Sequence, residues 1–197
     1  MNRYNLPVGP AAARGPRYLF RDPSGPALVA TSLIATLGLV DAAIVLTGPD
    51  APWHEDWGAT LGGLQIASWI SFLFWFHRCR CNAEVLAPGT HKYAPGFALG
   101  AWIIPLAMWW VPRRIALDVR RAGGEPRDTW LINAWWFVWL CDGPVSAAVH
   151  ILVLHHAEYD NPVDRGIGAL CSILAIAVIR RITSGQPAGP LPYLNMT

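Results

Sequence analysis

Two aspartates stand where carboxylates are costly. Asp41 interrupts the apolar run from Ala27 to Thr47, and Asp142 sits inside a longer apolar run from Trp130 to Leu154. A charge at the centre of a hydrocarbon layer costs at least about 2.5 kcal/mol, so a carboxylate there is expected either to do chemistry or to tie helices together by a hydrogen bond. Gly143-Pro144 follow Asp142 directly. A proline removes a backbone hydrogen bond and frees carbonyls, which is one way to build a polar pocket within a span. At helical spacing Trp135, Trp139, Asp142 and Ser146 follow in steps of four, three and four, so two indoles, a carboxyl and a hydroxyl share one face unless Pro144 turns it.

The indoles extend that pattern. Nine of the eleven tryptophans fall in or at the ends of apolar stretches: Trp69, Trp75, Trp102, Trp109, Trp110, Trp130, Trp135, Trp136 and Trp139. An interfacial aromatic belt accounts for Trp75, Trp110 and Trp130. It accounts less well for Trp69, Trp102, Trp135, Trp136 and Trp139, which are expected to lie deeper. Indole faces stabilise cations that water cannot reach. A buried acid beside a wall of indoles suits an acid-initiated cyclisation of an isoprenoid: the acid protonates an alkene or epoxide, and the aromatics stabilise the migrating carbocation and exclude water. Asp142 and Asp41 are therefore the catalytic candidates. Trp69, Trp102, Trp135, Trp139 and His150, the last about two turns beyond Asp142, are the substrate-binding candidates.

Two polar loops form a second cluster, His54-Glu55-Asp56 and His155-His156-Ala157-Glu158-Tyr159-Asp160. Their nitrogen and oxygen groups make His54, Glu55, His155, His156 and Glu158 weak metal candidates, since no HExxH or paired-cysteine spacing accompanies them and two solvated loops explain them as well. Arg113, Arg114, Arg120 and Arg121 suit anionic lipid headgroups better than a substrate diphosphate. No Walker loop, dinucleotide fingerprint, nucleophile elbow or nucleic-acid module is present, so no cofactor and no nucleic-acid partner are expected. The four cysteines, Cys79, Cys81, Cys141 and Cys171, lack a disulfide or zinc pattern and read as reduced thiols.

The elements that must position these groups follow from composition. The chain is 53% hydrophobic and 14% charged, against roughly 25% charged residues in soluble domains. Five apolar stretches are expected to be helical: 27–47, 59–76, 96–111, 130–154 and 166–179. The third is short, is interrupted by Pro105 and closes at Pro112. Behind it, Arg113 to Arg121 is a basic amphipathic piece suited to lie along a membrane surface. If all five stretches crossed, the fifteen Lys and Arg would divide about eight to seven. If the third re-enters instead, fourteen share one face and only Arg165 lies opposite, which obeys the positive-inside bias. The expected architecture is an all-α, multi-pass transmembrane bundle of four spans plus one Pro-broken re-entrant or partly inserted segment. The transmembrane domain covers 27–182, between disordered cytoplasmic tails at 1–26 and 183–197.

The run Trp75-Phe76-His77-Arg78-Cys79-Arg80-Cys81-Asn82-Ala83, then Tyr93-Ala94-Pro95-Gly96, Gly100-Ala101-Trp102 and Ile104-Pro105 through Trp110-Val111-Pro112, resembles an uncharacterised family of actinobacterial membrane proteins, a domain of unknown function. The resemblance covers roughly residues 64–124. It departs from the family pattern at Met108, where Asn is common, and at Val111, where Arg is common. It implies a membrane fold and no activity.

The leading expectation is an integral enzyme of the cell membrane, a terpene cyclase in type, acting on a lipid-like isoprenoid substrate. Asp142 is the proton donor and Asp41 its partner or a second acid. The alternative is a non-catalytic protein that assembles with a second copy or a membrane partner, or organises lipid, in which the same residues are helix glue and belt. Metal or haem binding through the histidines is the weaker third reading.

Overall fold

The computed structural model describes residues 18–48, 58–124, 129–149 and 162–187. Every regular element among the described residues is helical. Helix α1 spans Ser24–Thr47, α2 Gly58–Leu86, α3 Phe97–Gly100, α4 Val111–Ala122, α5 Trp130–Leu140, α6 Ser146–Val149 and α7 Pro162–Ser184.

Helices α1 and α7, of 24 and 23 residues, are long and apolar enough to cross a membrane; at 1.5 Å per residue they reach about 36 and 34 Å. Local chemistry sets their ends. The Asp22 carboxylate accepts the Ser24 N–H at 2.9 Å, and Pro26 falls in the first turn, where its missing N–H leaves no carbonyl unpaired. Gly48, at φ 85°, ends α1 with its N–H on the Ile44 carbonyl, in backbone space that favours glycine. Helix α7 opens on Pro162, carries Asp164 in its first turn and Arg181 in its last, as the helix dipole favours.

These two helices pack against each other more extensively than any other pair. Small residues allow it: a Cβ on Gly38 would lie 2.7 Å from the Ser172 Cβ. Without a hydrophobic driving force in lipid, such close backbone approach is a main source of helix association. Gly38→Val is therefore expected to lower stability by about 2 kcal/mol through overpacking, measured by thermal unfolding in detergent. Gly63→Ala, in open space on α2, should be neutral or slightly stabilising.

Helix α2 runs on past His77-Arg78-Cys79-Arg80, where the apolar run ends, to Leu86. Its last turns are held by buried polar bonds. The wholly buried Arg80 donates to Glu84 at 3.0 Å and to the Tyr93 carbonyl at 2.5 Å. Asn82, also wholly buried, accepts the Arg21 N–H at 3.0 Å and donates to the Arg21 carbonyl and Gln186 Oε1, both at 2.7 Å. Trp75 is 0% exposed and donates to Thr183 Oγ1 at 3.0 Å, so it is a core residue and not part of an interfacial belt. Arg21, Thr183 and Gln186 are thus anchored to α2. Trp110 and Trp130 do stay exposed.

The third apolar stretch is not one helix. After α3 the chain turns, forms a single 3-10 turn at Ala107–Trp109 and only then enters α4. Pro105 lacks the N–H that a continuous helix needs. Helix α4 buries Val111, Pro112, Ile115, Ala116, Leu117, Val119 and Arg120, more than a helix lying on a surface would cover. Arg113 donates to Asn133 of α5 at 2.9 Å, while Arg114 is exposed and exposed Arg121 pairs with Asp118 at 3.0 Å. Of the four arginines, Arg113 and Arg120 are therefore integrated into the bundle.

Candidate functional site

The bundle holds a half-open cavity of about 710 Å³. Helix α1 contributes Ile34, Leu37 and Asp41; α2 contributes Leu61, Gly62, Gln65, Ser68, Trp69, Phe72 and Leu73; Trp102 comes from the broken third stretch. Trp135, Trp139, Asp142, Gly143 and Ser146 come from α5, α6 and the turn between them, and Asp164, Arg165, Gly168, Cys171, Ser172 and Ala175 from α7. The face expected from helical spacing, Trp135, Trp139, Asp142 and Ser146, thus points into one space.

One wall is aromatic. Trp102 stands edge-on to Trp139 at 5.1 Å and 89°, to Phe72 at 5.5 Å and 83°, and to Trp136 at 5.9 Å and 71°. Trp136 stacks on Trp139 at 4.8 Å, and Phe72 reaches Trp135 at 5.8 Å. Edge-to-face and offset contacts of this kind suit the ring quadrupole and hold indole faces in fixed orientations. Trp69 also lines the cavity but is 47% exposed, so it belongs to the rim and not to the deep wall.

The other wall carries the carboxyls. Gly168, the seventh residue of α7, is the common floor: a Cβ there would lie 3.0 Å from Asp41 Oδ2 and 3.3 Å from Asp142 Oδ1. The two carboxyls therefore flank one hydrogen-only position, about a third of the way along α1 and α7 from the Thr47 and Pro162 ends. Asp41 is 6% exposed and accepts from Arg165 Nη1 at 3.0 Å. Asp142 has open surface on the cavity. It sits in a π-helical turn, Cys141–Val145, that contains Pro144. The widened turn accommodates a proline that an α-helix would not, and such turns are frequent at functional sites.

Two polar atoms on cavity-lining residues, Ser68 Oγ and Trp102 Nε1, are buried without a hydrogen-bond partner among the described residues, and of these two residues only Ser68 had no mark in the sequence. A Ser68 hydroxyl with no partner contributes no hydrogen bond to the folded state, so Ser68→Ala is expected to leave stability within about 0.5 kcal/mol of wild type or to raise it, read from chemical unfolding in detergent. Arg165 and Gly168 were also missed as site residues. Arg165 was legible only as the one basic residue on the sparsely charged side; its partner was not.

His150, His54, Glu55, Asp56, His155, His156, Glu158, Tyr159 and Asp160 fall outside the described residues. Among the described residues no group of three or more His, Cys, Asp or Glu stands close enough to hold a metal. All four cysteines are free thiols.

Among the described residues, the fold and the site define an all-helical bundle with two helices long and apolar enough to cross a membrane and a half-open cavity lined by indoles and carboxyls. The chain belongs to the family described as Domain of unknown function (DUF4328), whose model matches residues 57–184. The match takes in α2 through α7 with Asp142, Arg165 and the cavity tryptophans, and contains the motifs between residues 64 and 124; Asp41 lies before it. No curated protein and no solved structure matches the chain.

Proposed function

We propose that this chain is a multi-pass protein of the cell membrane, with four crossings, a Pro-broken third segment and both termini in the cytoplasm. We further propose that it is an enzyme that cyclises a lipid-like isoprenoid by protonation. The observation that carries this reading is the shared cavity, with Asp142 facing the same space as Trp102, Trp135 and Trp139. Exposed apolar residues along α1 and α7, such as Leu28, Leu39, Leu46 and Ile173, support a lipid surround, since soluble monomers rarely expose large contiguous apolar patches.

In this mechanism Asp142 transfers its proton to an alkene or epoxide of the bound substrate. The resulting cation is attacked by a second alkene, closing a ring, and the new cation lies against the indole faces. Loss of a proton to the Asp142 carboxylate ends the sequence and regenerates the acid, so the reaction is an isomerisation. Asp41 stays paired with Arg165 and holds the charge on α7 beside the reacting acid. Its cross-helix ion pair also favours a second reading of Asp41 as helix glue.

The test is expression of the chain in a host membrane with prenylated and epoxidised terpenoid substrates, comparing products of wild type, Asp142→Asn and Asp41→Asn. Cyclised product from wild type and none from Asp142→Asn is the expected result. Equal turnover in all three removes the acid mechanism. Loss of folding in both variants favours the non-catalytic reading.

A further inference from the structure

Among the described residues, Asp41, Asp142, Asp164 and Arg165 line the cavity. The Arg165 guanidinium is bound to Asp41. For Asp142, no hydrogen bond or ion pair is present among the described residues. One and two turns back along the chain lie the indoles of Trp139 and Trp135, whose faces attract positive charge. A space with a carboxyl at one end, π-faces along its wall and an apolar lining is complementary to a molecule with one positive centre on an apolar body.

We propose that the cavity is a binding site for a lipophilic organic cation, with its ammonium group beside the Asp142 carboxylate and its apolar body against Trp102, Trp135 and Trp139. The proposal rests on the carbocation reading above only for the shape of the ligand. Once Asp142 has given up its proton, the bound state pairs a carboxylate with a cation on an isoprenoid skeleton. A stable prenyl ammonium reproduces that charge distribution without reacting. Size agrees, since about 710 Å³ lies within the roughly 300–1,000 Å³ of sites for small molecules.

The entry route follows from the packing. Helix α2 packs on α1, α3 and α4 but makes no extended backbone contact with α5 or α7. The gap is bridged by rings, Phe72 to Trp135 at 5.8 Å. Nearer its N-terminal end, α2 presents Gly62, Gln65 and the exposed Trp69 at the cavity. Small and half-exposed residues at that edge leave room for an amphiphile to enter between α2 and the Gly143–Ser146 side.

The experiment titrates the full-length chain, in a neutral maltoside detergent, with farnesyltrimethylammonium and with its uncharged carbon isostere, following intrinsic tryptophan fluorescence. The ammonium is expected to bind about tenfold more tightly than the isostere. Asp142→Asn should bring that ratio close to one, and Asp142→Glu should keep it. Trp139→Leu provides a second measure, expected to weaken the ammonium several-fold more than the isostere. Helix content and gel filtration monitor folding of each variant. Equal binding of the two ligands by wild type overturns the proposal, as does an unchanged preference in folded Asp142→Asn. Should Asp142→Asn fail to fold, an unchanged preference in Trp139→Leu overturns it in the same way. A preserved ammonium preference without cyclised product removes the enzyme and leaves the binding site. Product formation without ammonium preference does the reverse.

Discussion

Asp142→Asn is expected to lower formation of cyclised product by about 10²–10⁴-fold, the usual contribution of a positioned general acid, with little change in stability. Asparagine keeps the size and planar shape of the side chain but cannot supply an acidic proton. Asp142 makes no hydrogen bond or ion pair among the described residues, and its carboxyl keeps open surface on the cavity, so the substitution breaks no contact that holds the bundle. Asp142→Glu retains the acid but carries it one methylene further, toward the position that Gly168 leaves open at 3.3 Å from Asp142 Oδ1; it should recover part of the activity. Product analysis by mass spectrometry from membranes with matched protein levels measures all three. Turnover in Asp142→Asn within a few-fold of wild type would show that the proton comes from elsewhere.

Arg165→Leu is expected to do the opposite, lowering stability by about 3 kcal/mol. Asp41 is 6% exposed, and its bond to Arg165 joins α1 to α7 at 3.0 Å. Removing the guanidinium takes a charged partner from a carboxylate inside the bundle, and a broken buried pair costs more than an intact one contributes. The double variant Arg165→Leu/Asp41→Asn removes both charges and should recover most of the loss, because the amide carries no uncompensated charge. Unfolding in a denaturing detergent titration measures this cycle. A single variant as stable as wild type would mean that the pair does not hold the two helices, and that Gly38 against Ser172 suffices. The two carboxyls flanking Gly168 are thus separated by function: Asp142 is expected to be dispensable for folding, whereas Asp41, as a carboxylate, depends on Arg165.

The features legible in the sequence are those that a short stretch of chain decides. Apolar runs of helical length specify α1 and α7, since each helix satisfies its own backbone hydrogen bonds. Pro105 breaks the third stretch wherever the chain folds. The face carrying Trp135, Trp139, Asp142 and Ser146 follows from helical periodicity, and the turn containing Pro144 widens without turning that face away from the cavity. Local pattern misjudged α2, because the end of its apolar run at Phe76 does not end the helix. Arg80 and Asn82 find their partners at Glu84, Tyr93, Arg21 and Gln186, which lie near them only in the folded chain.

The same division runs through the site. That Asp41 and Asp142 are costly and therefore meaningful is a property of their apolar neighbours in sequence, readable from either run alone. That they meet over Gly168, that Arg165 takes Asp41 and not Asp142, that Trp102 closes the aromatic wall and that Trp75 is buried are consequences of helix packing. Those contacts join residues far apart in the chain, and their energies depend on distances that no local spacing sets. Residue type and periodicity chose the candidates; the close approach of α1 and α7, made possible by glycines with no side chain to keep the helices apart, decided that both acids meet at the cavity and that Asp41 is the one paired with Arg165.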